Sequence, residues 1–147
     1  MNRQRKTITW ERWCSIEIPD DWTWSQEDNV ISVFNESQGV GALQISFANR
    51  LLPHKPTNEE AVKLSLSYAG DQDWPVGAEM VQVSRVDESV MATMTHCRFG
   101  EEITSWRVWH IIEKTRVACI TYNCVERDQD VEADSVDDIL RSFRWRT

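Results

Sequence analysis

Between Glu79 and Val125 the chain runs through four successive stretches of alternating apolar and polar residues, "EMVQVSRV", "SVMATMTHCRF", "ITSWRVWHII" and "RVACITYNCV". A period of two marks a strand with one buried face. The breaks are short: "DE", then "FGEE", then "EKT". Gly100 supports a tight two-residue turn in the second break. These four runs form a meander of antiparallel strands, and a sheet of that kind needs other layers to cover it.

The first third of the chain carries further strands. In "WCSIEIP", Cys14, Ile16 and Ile18 alternate with Ser15 and Glu17, and the run stops at Pro19. "NVISVFN" and "VGALQISFAN", joined by the turn "ESQG", read as a hairpin with Leu43, Ile45 and Phe47 on one face. Residues 1–12 read as a loose tail or an edge strand, and a further short strand fits around Trp22.

Two helices complete the inventory. Pro53 and Pro56 break the chain. Thr57, with Glu60 three residues on, forms a capping box for a helix running to about Ala69. Val62, Leu66 and Ala69 make its stripe, widened by Leu64 and Tyr68, and Gly70 is the expected stop. "RDQDVEADSVDDILRSFRW" reads as a closing helix with Val136, Ile139, Leu140 and Phe143 on one side. Its early Asp residues suit the positive end of the helix dipole, and Arg141 and Arg144 suit the other end. The order is βββ-α-ββββ-α at most. The fold class is α+β, a twisted antiparallel sheet of about six or seven strands flanked by two main helices. A length of 147 residues fits a single domain, 1–147.

The net charge is −8, with a sequence pI near 4.9. Affinity for nucleic acid at physiological salt comes mainly from Lys and Arg neutralising phosphates, so nucleic acid is disfavoured as a partner. Anionic membranes are disfavoured for the same reason, and a basic protein is favoured at long range. The charge is uneven: Arg3, Arg5, Lys6 and Arg12 lie near the start, while Glu126 to Asp138 is strongly acidic. No apolar stretch of about 7–15 residues follows the basic start, so no signal peptide is expected. No run nears membrane-spanning length, and a cytoplasmic location is expected. Cys14, Cys97, Cys119 and Cys124 form no C-x-x-C pair and read as free, mostly buried thiols.

Familiar chemical motifs are missing. There is no Gly-rich phosphate loop, no H-E-x-x-H, no G-x-S-x-G and no kinase signature. Asp128, Asp130, Glu132 and Asp134 match the odd positions of a Ca²⁺ loop. Ala133 stands where that loop needs Gly, and Ile139 where it needs Glu, so the run reads as a charged helix start. No cofactor or metal is expected. If the Gly100 turn is tight, Thr95 pairs with Trp106, Thr93 with Val108 and Cys97 with Thr104. His96 and His110 then lie on opposite faces. That register collects Thr93, Thr95, Thr104, Trp106, His110 and Thr121 on one face, as an open binding surface or an ordinary solvated one. Met94, Arg107, Trp109, Ile111, Ile120 and Tyr122 fall on the other, which suits helix packing. Eight Trp is a high count. Trp10, Trp13, Trp22, Trp24 and Trp74 all lie in or beside loops, where Trp serves either to close a core or to anchor a partner. Of the pair after Pro19, Trp22 is expected to plug the core and Trp24 to sit at its rim. Trp24 and Trp74 join Thr93, Thr95, Trp106, His110 and Thr121 as candidate binding residues.

The opening "SIEIPDDW", the hairpin "VISVFNESQGVGALQISF", the central helix, the meander ending "ITYNC" and the closing "VDDILRSFRW" resemble, in that order, the PsbP/Mog1/DcrB-like domains. The resemblance covers nearly the whole chain. It implies an α/β/α sandwich around an antiparallel sheet and a mostly non-enzymatic role in assembly or partner binding. The function expected is a non-enzymatic cytosolic protein-interaction domain, an acidic antagonist or assembly factor whose partner is another protein, with no nucleic acid and no membrane. The alternative is a small-ligand carrier using a Trp-lined cleft. The Trp set leaves a homodimer open.

Overall fold

Hairpin chemistry sets most of the architecture. The computed structural model describes residues 4–51 and 53–147; residues 1–3 of the expected tail lie outside them. The described chain begins with β1 (Arg5–Trp10), β2 (Cys14–Pro19), β3 (Trp22–Glu27), β4 (Val30–Asn35) and β5 (Gly41–Asn49). Then come α1 (Asn58–Asp71), β6 (Gln82–Val86), β7 (Ser89–Arg98), β8 (Thr104–Ile112) and β9 (Arg116–Val125). It closes with α2 (Ala133–Ser142) and β10 (Arg144–Trp145). Asp28 (φ 54°) and Asp87 (φ 56°) take the left-handed conformation as first residues of the two-residue loops β3–β4 and β6–β7. Asp tolerates that region better than most side chains.

Seven strands form one antiparallel sheet in the order β3-β4-β5-β9-β8-β7-β6. A second sheet, β1-β2-β10, packs with α2 against one face of the first. Of the two readings of residues 1–12, the edge strand is the one found from Arg5 to Trp10, where β1 pairs with β2 at the margin of this sheet. The layer that a helix was expected to fill is half strand. The larger core lies between these layers, with Ile16, Ile18, Leu43, Ile45, Ile120, Val136 and Ile139 at its centre and Trp22 buried as its plug. The smaller core lies on the opposite face, where α1 covers β6, β7 and β8.

The capping box of α1 is present: Glu60 N–H donates to Thr57 Oγ1 (3.2 Å) and Thr57 N–H to Glu60 Oε1 (2.9 Å). Its buried line is Ala61, Ser65 and Ala69, spaced four apart, while Val62, Leu64, Leu66 and Tyr68 lie half-buried along its flanks. Small side chains let the helix axis approach the sheet, so the bulky ones lap over the sides. Gly70 does not stop the helix. The end is a Schellman motif: Asp73 is left-handed (φ 59°), its N–H donates to Gly70 O (3.1 Å), and Trp74 N–H donates to Ala69 O (2.8 Å).

The closing helix is shorter than its sequence pattern. Residues Glu126–Asp128 form a single 3₁₀ turn, and α2 starts only at Ala133. Glu132 sets that start. Its buried carboxylate turns inward to accept from Tyr122 O–H (2.8 Å) and Gly41 N–H (3.2 Å), tying α2 to β9 and β5.

Candidate functional site

The expected Thr-rich surface does not exist as one face. The loop joining β7 to β8 spans Phe99–Ile103, longer than a two-residue turn, and it shifts the register by one residue. Thr95 faces Arg107, Thr93 faces Trp109, Cys97 faces Ser105 and His96 faces Trp106. A one-residue slip moves every side chain of a strand to the other face. Thr93 and Thr95 therefore lie on the α2 side, whereas Trp106, His110 and Thr121 lie on the α1 side. Met94 joins the α1 core, and the two histidines share a face instead of opposing each other.

On the α1 side the candidates are structural. His110 is 3% exposed, and its Nδ1 lies 3.0 Å from the buried Ser65 hydroxyl. Burial pushes the imidazole down to about 4, so it is neutral at pH 7. Trp74 is buried, stacked on His96 at 4.7 Å and in contact with Trp106 and Tyr68. The Schellman turn after α1 points it there, so of the two roles open to a loop Trp it takes the core-closing one. Thr121 is also buried. On the α2 side Thr95 is exposed, and Trp24 reaches solvent at 40% exposure against 1% for Trp22, packing edge-on to Trp10 at 5.5 Å.

A sizeable cleft lies elsewhere, on the α2 side of the sheet. With a volume of about 630 Å³, it opens between the C-terminal half of α2 with β10 and the outer strands β6, β7 and β8. That volume is in the range of small-ligand and side-chain pockets. Met91, Trp109 and Ile111 form the floor, and Leu140, Phe143 and Trp145 the helix wall. Val86, exposed at 43%, stands at the open end beside Asp87 and Glu88.

Charged pairs fix both tryptophans. Arg107 lies 4.7 Å over the Trp109 ring and donates to Asp137 at 2.5 Å. Arg116 lies 4.8 Å over the Trp145 ring, binds the Glu113 carboxylate and donates to Arg12 O. The cleft thus has an apolar floor and a charged rim, with Asp87, Glu88, Glu113 and Asp137 but also Arg141 and Arg144. None of the seven candidates lines it. The alternation that placed Trp109 and Ile111 toward a helix, and the stripe that placed Leu140 and Phe143, identified four of its walls without showing that a gap remained between them. Trp145 carried no such signal, since its position depends on β10.

Two of the four thiols are held protonated at neutral pH. Burial pushes the Cys14 thiol up to about 12 and the Cys119 thiol to about 11. Burial, then the Glu132 carboxylate, pushes the Tyr122 phenol up. Among the described residues no group of three or more His, Cys, Asp or Glu is placed to hold a metal ion. No helix is long and apolar enough to cross a membrane, among the described residues.

The layers define a mixed α+β sandwich built on an antiparallel sheet. The chain matches no protein-family model and no curated protein. Solved structures share its fold. A crystal structure from Bacteroides thetaiotaomicron superposes with a TM-score of 0.68 over 92% of this chain at 12% identity; the chain spans 46% of that protein, just under half. The solution structure of cyanobacterial PsbP (CyanoP) from Synechocystis sp. PCC 6803 superposes with a TM-score of 0.64, covering 97% of this chain and 92% of that one at 14% identity. The chain has the PsbP-like fold.

Proposed function

We propose that this protein is a cytosolic partner-binding domain that works without bond chemistry, and that the cleft beside α2 receives an apolar group from another protein. The cleft is the observation that carries this reading: an apolar floor between rigid elements, rimmed by charge, is the usual form of an anchor pocket. The raised Cys14 and Cys119 thiols and the neutral, hydrogen-bonded His110 support a non-enzymatic role. Free cysteines throughout fit a reducing compartment. The net charge of −8 favours a basic partner, as for an acidic antagonist or assembly factor.

Capture from a lysate of the source cells, compared between wild type and variants, tests the reading. Val86→Glu and Leu140→Gln alter the cleft at an exposed and a half-buried position, and their melting temperatures report whether the fold is kept. The expected result is a partner held by the wild type and lost by both folded variants. A partner retained by the variants, or none at any salt concentration, overturns it.

A further inference from the structure

We infer that the partner enters as an extended segment that adds an eighth antiparallel strand to the edge of β6 and turns its apolar side chains into the cleft. The inference rests on the reading of the cleft given above.

The edge is open. β6 ends the seven-stranded sheet and, among the described residues, pairs only with β7. Val86 and Ser89 close a two-residue hairpin, so they exchange both hydrogen bonds of their pair, and inward pairing then falls on Val86, Ser84 and Gln82. The backbone N–H and C=O of Val83 and Arg85 consequently point away from the sheet. Among the described residues no hydrogen bond reaches them.

The edge is also unguarded. Exposed edges are commonly protected by Pro, a bulge or an outstretched cation. β6 contains no Pro, and its register with β7 is unbroken from Gln82 to Val86. Its one cation, Arg85, is folded aside to donate to Pro56 O at 3.0 Å.

The edge is continuous with the cleft and bounded by negative charge. Val86 belongs to both, and Ser84 and Val86 face the α2 side with Met91 beside them. Exposed Met80 (55%) precedes the strand, and exposed Val86 (43%) ends it. Glu79 stands beside the first, and Asp87 and Glu88 beside the second. Of these three carboxylates only Glu88 has a cation partner among the described residues, Lys55 at 2.8 Å. A complementary strand therefore carries cations near both ends and apolar residues at alternate positions between them. The backbone supplies affinity and the alternate pockets supply selection, as in other strand additions.

The test uses the whole protein and the acetylated, amidated heptapeptide Lys-Val-Thr-Leu-Thr-Val-Lys. With its apolar residues toward the cleft, the two Thr stand opposite Val83 and Arg85. Amide-resolved NMR is expected to show shifts and slowed exchange at Val83 and Arg85, with peptide Leu contacts at Met91 or Trp109. N-methylation of the two Thr should weaken binding at least tenfold. Replacing both Lys with Glu should weaken it severalfold, less so at high salt. Equal binding of the N-methylated peptide overturns strand addition while leaving the cleft reading intact. Equal binding of the Glu peptide overturns the charge assignment. Shifts at Val83 and Arg85 on raising protein concentration alone show that a second copy takes the edge, and overturn the choice of partner. No binding of any peptide overturns the inference, and the capture experiment with Val86→Glu and Leu140→Gln judges the cleft separately.

Discussion

His110 shows how one buried side chain imposes a pH dependence on the whole fold. Its folded pKa is about 4, against 6.5 for an unhindered imidazole, because burial penalises the cation. Below pH 6.5 the unfolded chain takes up a proton that the folded chain refuses. The stability His110 contributes is therefore complete above about pH 6.5 and lost progressively as pH falls toward 4. The shift corresponds to about 3 kcal/mol. Carboxylates also titrate at the low end, so the measurement is a difference. Denaturant unfolding from pH 7 to 4 is expected to show a steeper loss for wild type than for His110→Gln. Parallel curves would mean the imidazole accepts its proton without cost. The same residue shows what a strand pattern conveys. Its face relative to Trp106 and Thr121 follows from alternation along β8 and the tight β8–β9 turn. Its burial depends on α1 lying above it, with Ser65 at the right height. Trp22 and Trp24 were more legible, because a Pro corner after a buried strand sends one ring inward and leaves the next at the rim.

At the scale of elements, local signals succeeded where they were chemically complete. Thr57 and Glu60 specify both halves of a capping box, and α1 starts there. The other end was misread because Gly70 is the obvious stop, whereas the left-handed residue is Asp73. Nothing in the residue types distinguishes a Gly inside the last turn from one just beyond it. Asp at that position carries a backbone penalty that Gly does not. Asp73→Gly is therefore expected to stabilise the protein by up to about 1 kcal/mol, read as a raised unfolding midpoint. A lower midpoint would show that the Asp73 side chain has a stabilising role of its own. Loop length was the second blind spot. The β7–β8 connection contains a Gly and two Glu that fit either a tight turn or the longer loop, and one residue of difference scattered the expected Thr surface across both faces. The late start of α2 has a tertiary cause: Glu132 leaves the helix track to meet Tyr122 on β9 and Gly41 on β5, 10 and 91 residues away.

The cleft belongs to the whole molecule and follows from a mismatch of widths. Seven strands spaced about 4.8 Å apart span about 29 Å between the outermost pair. On the α2 side that width meets one helix about 10 Å across and a narrow sheet whose last strand is only two residues long. The core under this layer draws its buried sheet residues from β3, β4, β5, β9 and β8; β6 contributes none and β7 only the half-buried Met91 at its margin. Apolar residues at the uncovered end, Val86 and Met91 on the sheet and Leu140 across from them, are left facing a gap. Such a gap in a folded protein should take up an uncharged apolar molecule without any loosening of the structure. Nile red is therefore expected to bind the native protein at one site, with enhanced fluorescence at neutral pH and no fall in melting temperature. Val86→Glu sits at the open mouth and should weaken that binding severalfold while changing stability by less than about 0.5 kcal/mol. Trp24→Ala, on the opposite edge of the sheet, should leave it unchanged. Dye binding that survives Val86→Glu but is lost with Trp24→Ala would move the site to the rim where Trp24 meets Trp10. Enhancement that grows only as the protein melts would mean the cleft is closed in solution.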